Sequence, residues 1–227
     1  MPGVAGIGIL VIRPTFDEIV FLRFKKSWIV AIENIKLLEK LDYNKQLTFA
    51  YLACERLYPN YISFSASYNF GEPQIIRQAI DFIYDNLLVT EFADAERINF
   101  YLNVVDIHTP FPHNFDTIFA SSALDACTAI LETLEFMMDR KTARLSDIST
   151  FATDTVDMYI SSRDDMDFNT DKYFEQKILA DPLMQREINV QNGIVDYLAR
   201  IDKIELADIH NLLELQLNDS KSNINLP

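Results

Sequence analysis

Three residues with chemical potential stand side by side in "LACERLYPNY", residues 52–61: a thiol at Cys54, a carboxylate at Glu55 and a guanidinium at Arg56. A thiol beside a carboxylate suggests a nucleophile, but neighbouring side chains on a helix point about 100° apart, so the base would have to come from elsewhere. Cys54 therefore reads as a buried structural cysteine. Arg56 is different, because with Tyr58 and Tyr61 it would offer a cation and two phenols to a small anionic ligand at a helix-end cleft.

Other constellations are weaker. His108 and His113, with Asp106 and Asp116 nearby, have side chains suited to zinc or manganese. Their spacing matches no metal motif, and two prolines between the histidines hold the chain extended. In "DDMDFNTD", Asp165, Asp167, Asn169 and Asp171 alternate as in a calcium loop, yet Thr170 stands where glycine is needed and Gln176 where the bidentate glutamate belongs. That leaves room for a weak surface cation site and excludes an EF-hand. No GxxxxGK[ST], GxSxG or HExxH occurs, and Cys54 and Cys127 lack zinc spacing. No metal, no cofactor and no catalytic residue is expected.

Arg56 shares a helical stripe with Phe49, Leu52 and Ala53, so it points towards packed structure and needs a carboxylate partner. Asp125, the carboxylate inside the small-residue block "ASSALDACTA", is the expected partner, although its spacing also puts it on a polar stripe with Ser122 and Glu132. An ion pair fastening two helices outweighs a ligand-binding arginine.

The elements carrying these residues read as helices. Ile32, Ile35, Leu38 and Leu41 make a short stripe. A helix from Asn44 to Tyr58 is apolar over most of its circumference and should end at Pro59, with Asn60 capping a short helix over Tyr61–Tyr68. After "NFGEPQ", Ile76, Ala79, Ile80, Ile83 and Leu87 form a core stripe, with Arg77, Asp81 and Asp85 on the wet face. Further helices are expected over 94–105, 117–139 (the longest), 145–162, 171–179, a long one opened by Asp181 and Pro182, and 206–217. The helix of Cys54 should pack on that of "ALDAC", with both cysteines buried as free thiols.

Composition agrees with this pattern. The chain has 227 residues, 49% hydrophobic, with only five glycines and eight prolines, too few for a many-stranded sheet. One compact all-α, multi-helix domain is expected over 31–217. Residues 1–30 would be an N-terminal extension and 218–227 a frayed tail. Residues 1–58 hold eight Lys/Arg against six Asp/Glu, and the remainder twelve against twenty-eight, giving a net charge of -14. Such a surface repels phosphates and anionic lipid, which argues against nucleic-acid and membrane-surface partners. "MPGVAGIGILVIRP" is apolar but too short to span a bilayer and has no basic flank before it.

Four blocks, "LACERLYPNY", "FGEPQIIRQAIDFIYDNL", "ASSALDACTAILETLEF" and "DPLMQREINVQNGIVDYL", in this order and spacing, resemble the YjaG-like bacterial family, domain of unknown function number 416. The resemblance covers Ile32 to Leu217. It implies a compact helical cytoplasmic protein of bacteria and no particular activity, substrate or cofactor. It also implies that residues 1–30 are an addition, such as a start codon assigned too far upstream would give.

Three functions are therefore expected in order. The first is a non-catalytic cytoplasmic protein acting by protein-protein contact, with a homo-oligomer left open. The second is a binder or hydrolase of a small anionic ligand using Arg56, Tyr58 and Tyr61. The third is an acidic mask for a basic partner.

Overall fold

The structure is a computed structural model that describes residues 35–89, 91–216 and 222–226. The chain divides into two units, Met1–Ala31 and Ile32–Pro227, and every described residue belongs to the second. The expected extension over 1–30 lies outside the described residues.

Those residues form α1 (Ile35–Leu38), α2 (Tyr43–Tyr68), α3 (Pro73–Asp85), α4 (Ala95–Ile107), a 3-10 turn (Pro112–Asn114), α5 (Phe119–Asp139), α6 (Ala143–Arg163), α7 (Phe174–Ala180), α8 (Pro182–Arg200) and α9 (Leu206–Gln216). No strand occurs among the described residues. The chain is all-α, as its 3.6-residue periodicity indicates.

Helix α2 is the axis. Asp42 caps it by accepting from the Lys45 N–H at 3.2 Å. Two expectations fail here: the helix does not stop at Pro59, and Asn60 caps nothing, because one helix of 26 residues runs to Tyr68. A proline inside a helix costs about 3 kcal/mol through its missing N–H and its ring clash. Burial on both sides outweighs that cost, since Leu57, Tyr58, Asn60, Tyr61 and Phe64 all lie in the interior. Asn69 ends α2 in the left-handed conformation, φ 49°. The longest described helix is thus α2 and not 117–139.

Helix α5 lies along α2, as its small residues suggested. Ala126 and Ala129, on the side of α5 that carries Thr133, are fully buried, which lets the two backbones approach. Cys54 Sγ and Thr133 Oγ1 meet across the seam at 3.3 Å. The far side of α5 is also covered. Ser122, Asp125 and Glu132, the supposed wet stripe, are buried; Thr155 of α6 donates to Asp125 Oδ2 at 2.9 Å, and Arg144 of α6 to Glu132 Oε2 at 2.6 Å.

Helix α8 opens as expected, with Asp181 accepting from the Leu183 N–H at 2.8 Å and Pro182 in the first turn. Fraying does not hold for residues 222–226. Asn223 is buried, donates to the Ala152 carbonyl at 2.8 Å and accepts from Asn60 Nδ2 at 3.1 Å. Arg186 holds the same segment through Asn225 Oδ1 and the Asn223 carbonyl, at 2.7 and 2.6 Å. Polar side chains, invisible to a hydrophobic stripe, dock this tail.

Candidate functional site

Arg56 faces the interior of α2, as its stripe required, with 4% of its surface exposed. Its Nε and Nη2 donate to Glu187 Oε2 and Oε1 at 3.0 and 2.8 Å, a bidentate pair. Nη1 donates to Gln216 Oε1 at 2.8 Å. Glu187, 1% exposed, also accepts from Gln191 Nε2 at 2.7 Å. Gln191 in turn accepts from Ser149 Oγ at 2.7 Å and donates to the Ser149 carbonyl at 3.2 Å. One buried chain of hydrogen bonds thereby joins α2, α6, α8 and α9.

The expected pairing of Arg56 with Asp125 is wrong. Asp125 sits on the face of α5 that packs against α6, where Thr155 serves it, whereas Arg56 looks towards α8 and α9. Tyr58 and Tyr61 do not join Arg56 either. Tyr58 Oη donates to the Pro73 carbonyl and Tyr61 Oη to the His108 carbonyl, each at 2.9 Å. Burial raises the pKa of both phenols, so they stay protonated donors. Tyr61 Oη also lies against Gly71, whose φ of 68° and lack of a Cβ make that approach feasible. The four sequence-derived candidates each serve a separate contact.

The reactive groups are similarly engaged. Burial pushes the thiols of Cys54 and Cys127 up to about 12, and hydrogen bonding with Thr133 and Thr109 only partly counters it. A thiol that holds its proton is a poor nucleophile and metal ligand. No three His, Cys, Asp or Glu side chains gather as a metal site among the described residues, His108 and His113 included. In the 165–171 loop the carboxylates serve local donors: Asp167 Oδ1 accepts from the Asn169 N–H at 2.8 Å, and Asp171 from Lys177 Nζ at 2.6 Å.

The described surface has a cleft of about 650 Å³ between α8 and α9. Pro182, Val190, Ile194, Leu212 and Leu215 form its apolar walls, and Arg186, Tyr197 and Gln216 bring polar groups to them. Tyr197 Oη is already committed to Asp208 Oδ1 at 2.6 Å. Gln216 is 6% exposed and its amide orientation is fixed, because a guanidinium only donates and so holds Oε1 towards Arg56. Its Nε2 finds no hydrogen-bond partner among the described residues. Gly193, in the middle of α8 on the cleft wall, has nothing within 4 Å of where a Cβ would stand.

Sequence reasoning missed Glu187, Gln191, Gly193 and Gln216. A signal for two of them existed. Met184, Glu187, Gln191, Ile194 and Leu198 repeat at three and four residues, so Glu187 and Gln191 sit on the core stripe of α8, where polar residues demand partners.

A family model described as "Protein of unknown function (DUF416)" matches residues 33–227. "Uncharacterized protein YjaG" of Escherichia coli (strain K12) is 26% identical over 192 residues, 83% of this chain and 93% of that protein. An uncharacterized protein of Haemophilus influenzae is 25% identical over 185 residues, 80% of this chain and 88% of that protein. The crystal structure of a DUF416 family protein from Shewanella baltica OS155 superposes with a TM-score of 0.76 at 26% identity, covering 85% of this chain and 97% of that one.

Proposed function

The chain belongs to the DUF416 family of proteins of unknown function, and on that premise we propose that it acts by binding rather than by catalysis, with the cleft between α8 and α9 as its receiving surface. The observation that carries this is the Gln216 amide. One end is clamped by Arg56 and the other is a buried donor without a partner, on a residue that lines an apolar cleft. The engagement of Arg56, Tyr58, Tyr61 and both thiols in the packing supports a non-catalytic role, and two free, buried thiols support a reducing compartment such as the cytoplasm.

Contact with a partner protein through this same surface is the second reading. Leu215, 77% exposed on the cleft rim, favours it, as does a helix α9 that carries Asp208 and Glu214 and neither lysine nor arginine. A photoreactive residue at Asn189, which lines the cleft, tests both when compared with one at exposed Glu175. Adducts from position 189 alone, lost when Gly193→Leu fills the cleft, are the expected result. Their mass separates a small molecule from a partner protein, and twice the chain mass marks a homo-oligomer. Equal labelling from both positions, or none from 189, would overturn the cleft as the receiving surface.

A further inference from the structure

We infer that the α8–α9 cleft holds a small apolar monocarboxylate, with one carboxylate oxygen on Gln216 Nε2 and its hydrocarbon body against α8 at Gly193; this rests on the cleft being the receiving surface. Four observations lead there. First, the open group is a donor and not an acceptor, because Arg56 admits only the amide oxygen on its side. An occupant must therefore present an oxygen.

Second, the charged residue on the cleft lining is a cation. Arg186 lines the cleft and spends Nη1 and Nη2 on the neutral oxygens of Asn225 and Asn223, and no carboxylate pairs with it among the described residues. In a chain of net charge -14 this spot favours an anionic oxygen over a neutral one and repels an ammonium group.

Third, Gly193 weakens the helix that contains it, since glycine is a poor helix former, and the packing around it does not require the vacancy. A missing Cβ on the cleft wall lets a ligand lie directly on the backbone. Fourth, the walls are Pro182, Val190, Ile194, Leu212 and Leu215, which suit a hydrocarbon body. A buried amide donor without a partner beside one cation suits a monoanion.

Octanoate, 1-octanol and octylammonium, titrated into the full chain, test this by calorimetry and by the Gln216 side-chain amide signals in ¹⁵N spectra. Octanoate should saturate one site, move those signals downfield and bind at least about tenfold tighter than either analogue, the value of one charge-assisted hydrogen bond. Gly193→Leu, which should also strengthen α8, should abolish the shift. Gln216→Glu keeps an acceptor for Arg56 but replaces the donor by a like charge, and should weaken octanoate by about tenfold or more. Unmoved Gln216 signals, equal binding of octylammonium, or full binding by Gly193→Leu would each overturn the assignment. If a photoreactive Asn189 captures another molecule while octanoate leaves Gln216 unmoved, the cleft reading stands and the carboxylate falls.

Discussion

Arg56 and Glu187, 131 residues apart in the chain, face each other through two hydrogen bonds of 3.0 and 2.8 Å inside the protein. Neither charge is balanced by water, since the two side chains are 4% and 1% exposed. Each makes the burial of the other tolerable.

Removing one partner should therefore cost far more than removing both. Arg56→Ala is expected to lower unfolding free energy by about 3–5 kcal/mol, because Glu187 is left as a buried, unpaired carboxylate. The double change Arg56→Met with Glu187→Met should lie much closer to the parent. Urea unfolding of the three proteins decides it; a double variant as unstable as Arg56→Ala would show that the ion pair is not the source of the cost.

The thiols predict a loss of stability in alkali. Burial raises both from 9.0 to about 12, so in the folded state they keep protons that the unfolded chain releases. The contribution is fully present below pH 9 and is lost as pH rises from there towards 12. Cys54→Ala with Cys127→Ala should flatten that part of the pH–stability curve. Native protein should also react with a disulfide reagent only as fast as it opens, which stopped-flow absorbance would show.

Gly71 and Tyr61 should be coupled. Gly71→Ala puts a Cβ into the Tyr61 hydroxyl at a φ of 68°, and should cost about 1–2 kcal/mol or more from the backbone alone. In a Tyr61→Phe background the steric part should shrink while the backbone part stays. Additive losses in a double-mutant cycle would mean that the two residues do not interact.

Asn223→Ala should destabilise by about 1–3 kcal/mol, since it strands Asn60 Nδ2 in the interior and removes a second donor from the Ala152 carbonyl. Thermal unfolding would report it. A melting temperature equal to the parent's would place the segment outside the cooperative unit.

Local rules made much of this fold legible. Asp181 followed by Pro182 announced the start of α8, and the small residues of α5 announced a close neighbour. Pro59 was misread because propensity is a local quantity, whereas burial on both sides of it is decided by helices far along the chain. For Arg56 the need for a carboxylate was readable and its identity was not. Periodicity tells which way a side chain faces on its own helix and says nothing of which helix lies opposite. Gln216 was beyond reach altogether, because an unpartnered amide is a property of three-dimensional neighbours.

The partners of Arg56 and Asn60 lie 131, 160 and 163 residues further along the chain, at Glu187, Gln216 and Asn223. During synthesis at about 5–20 residues per second, the guanidinium waits on the order of ten seconds for its carboxylate to be made. Until then α2 cannot bury the face that carries Arg56 without confining a lone charge, so water has to stay on that side of it. The nascent chain therefore passes through a stage in which the seam of α2 with α5 can form while the opposite face of α2 is still hydrated. The last helices to emerge convert that wet, open intermediate into the native interior.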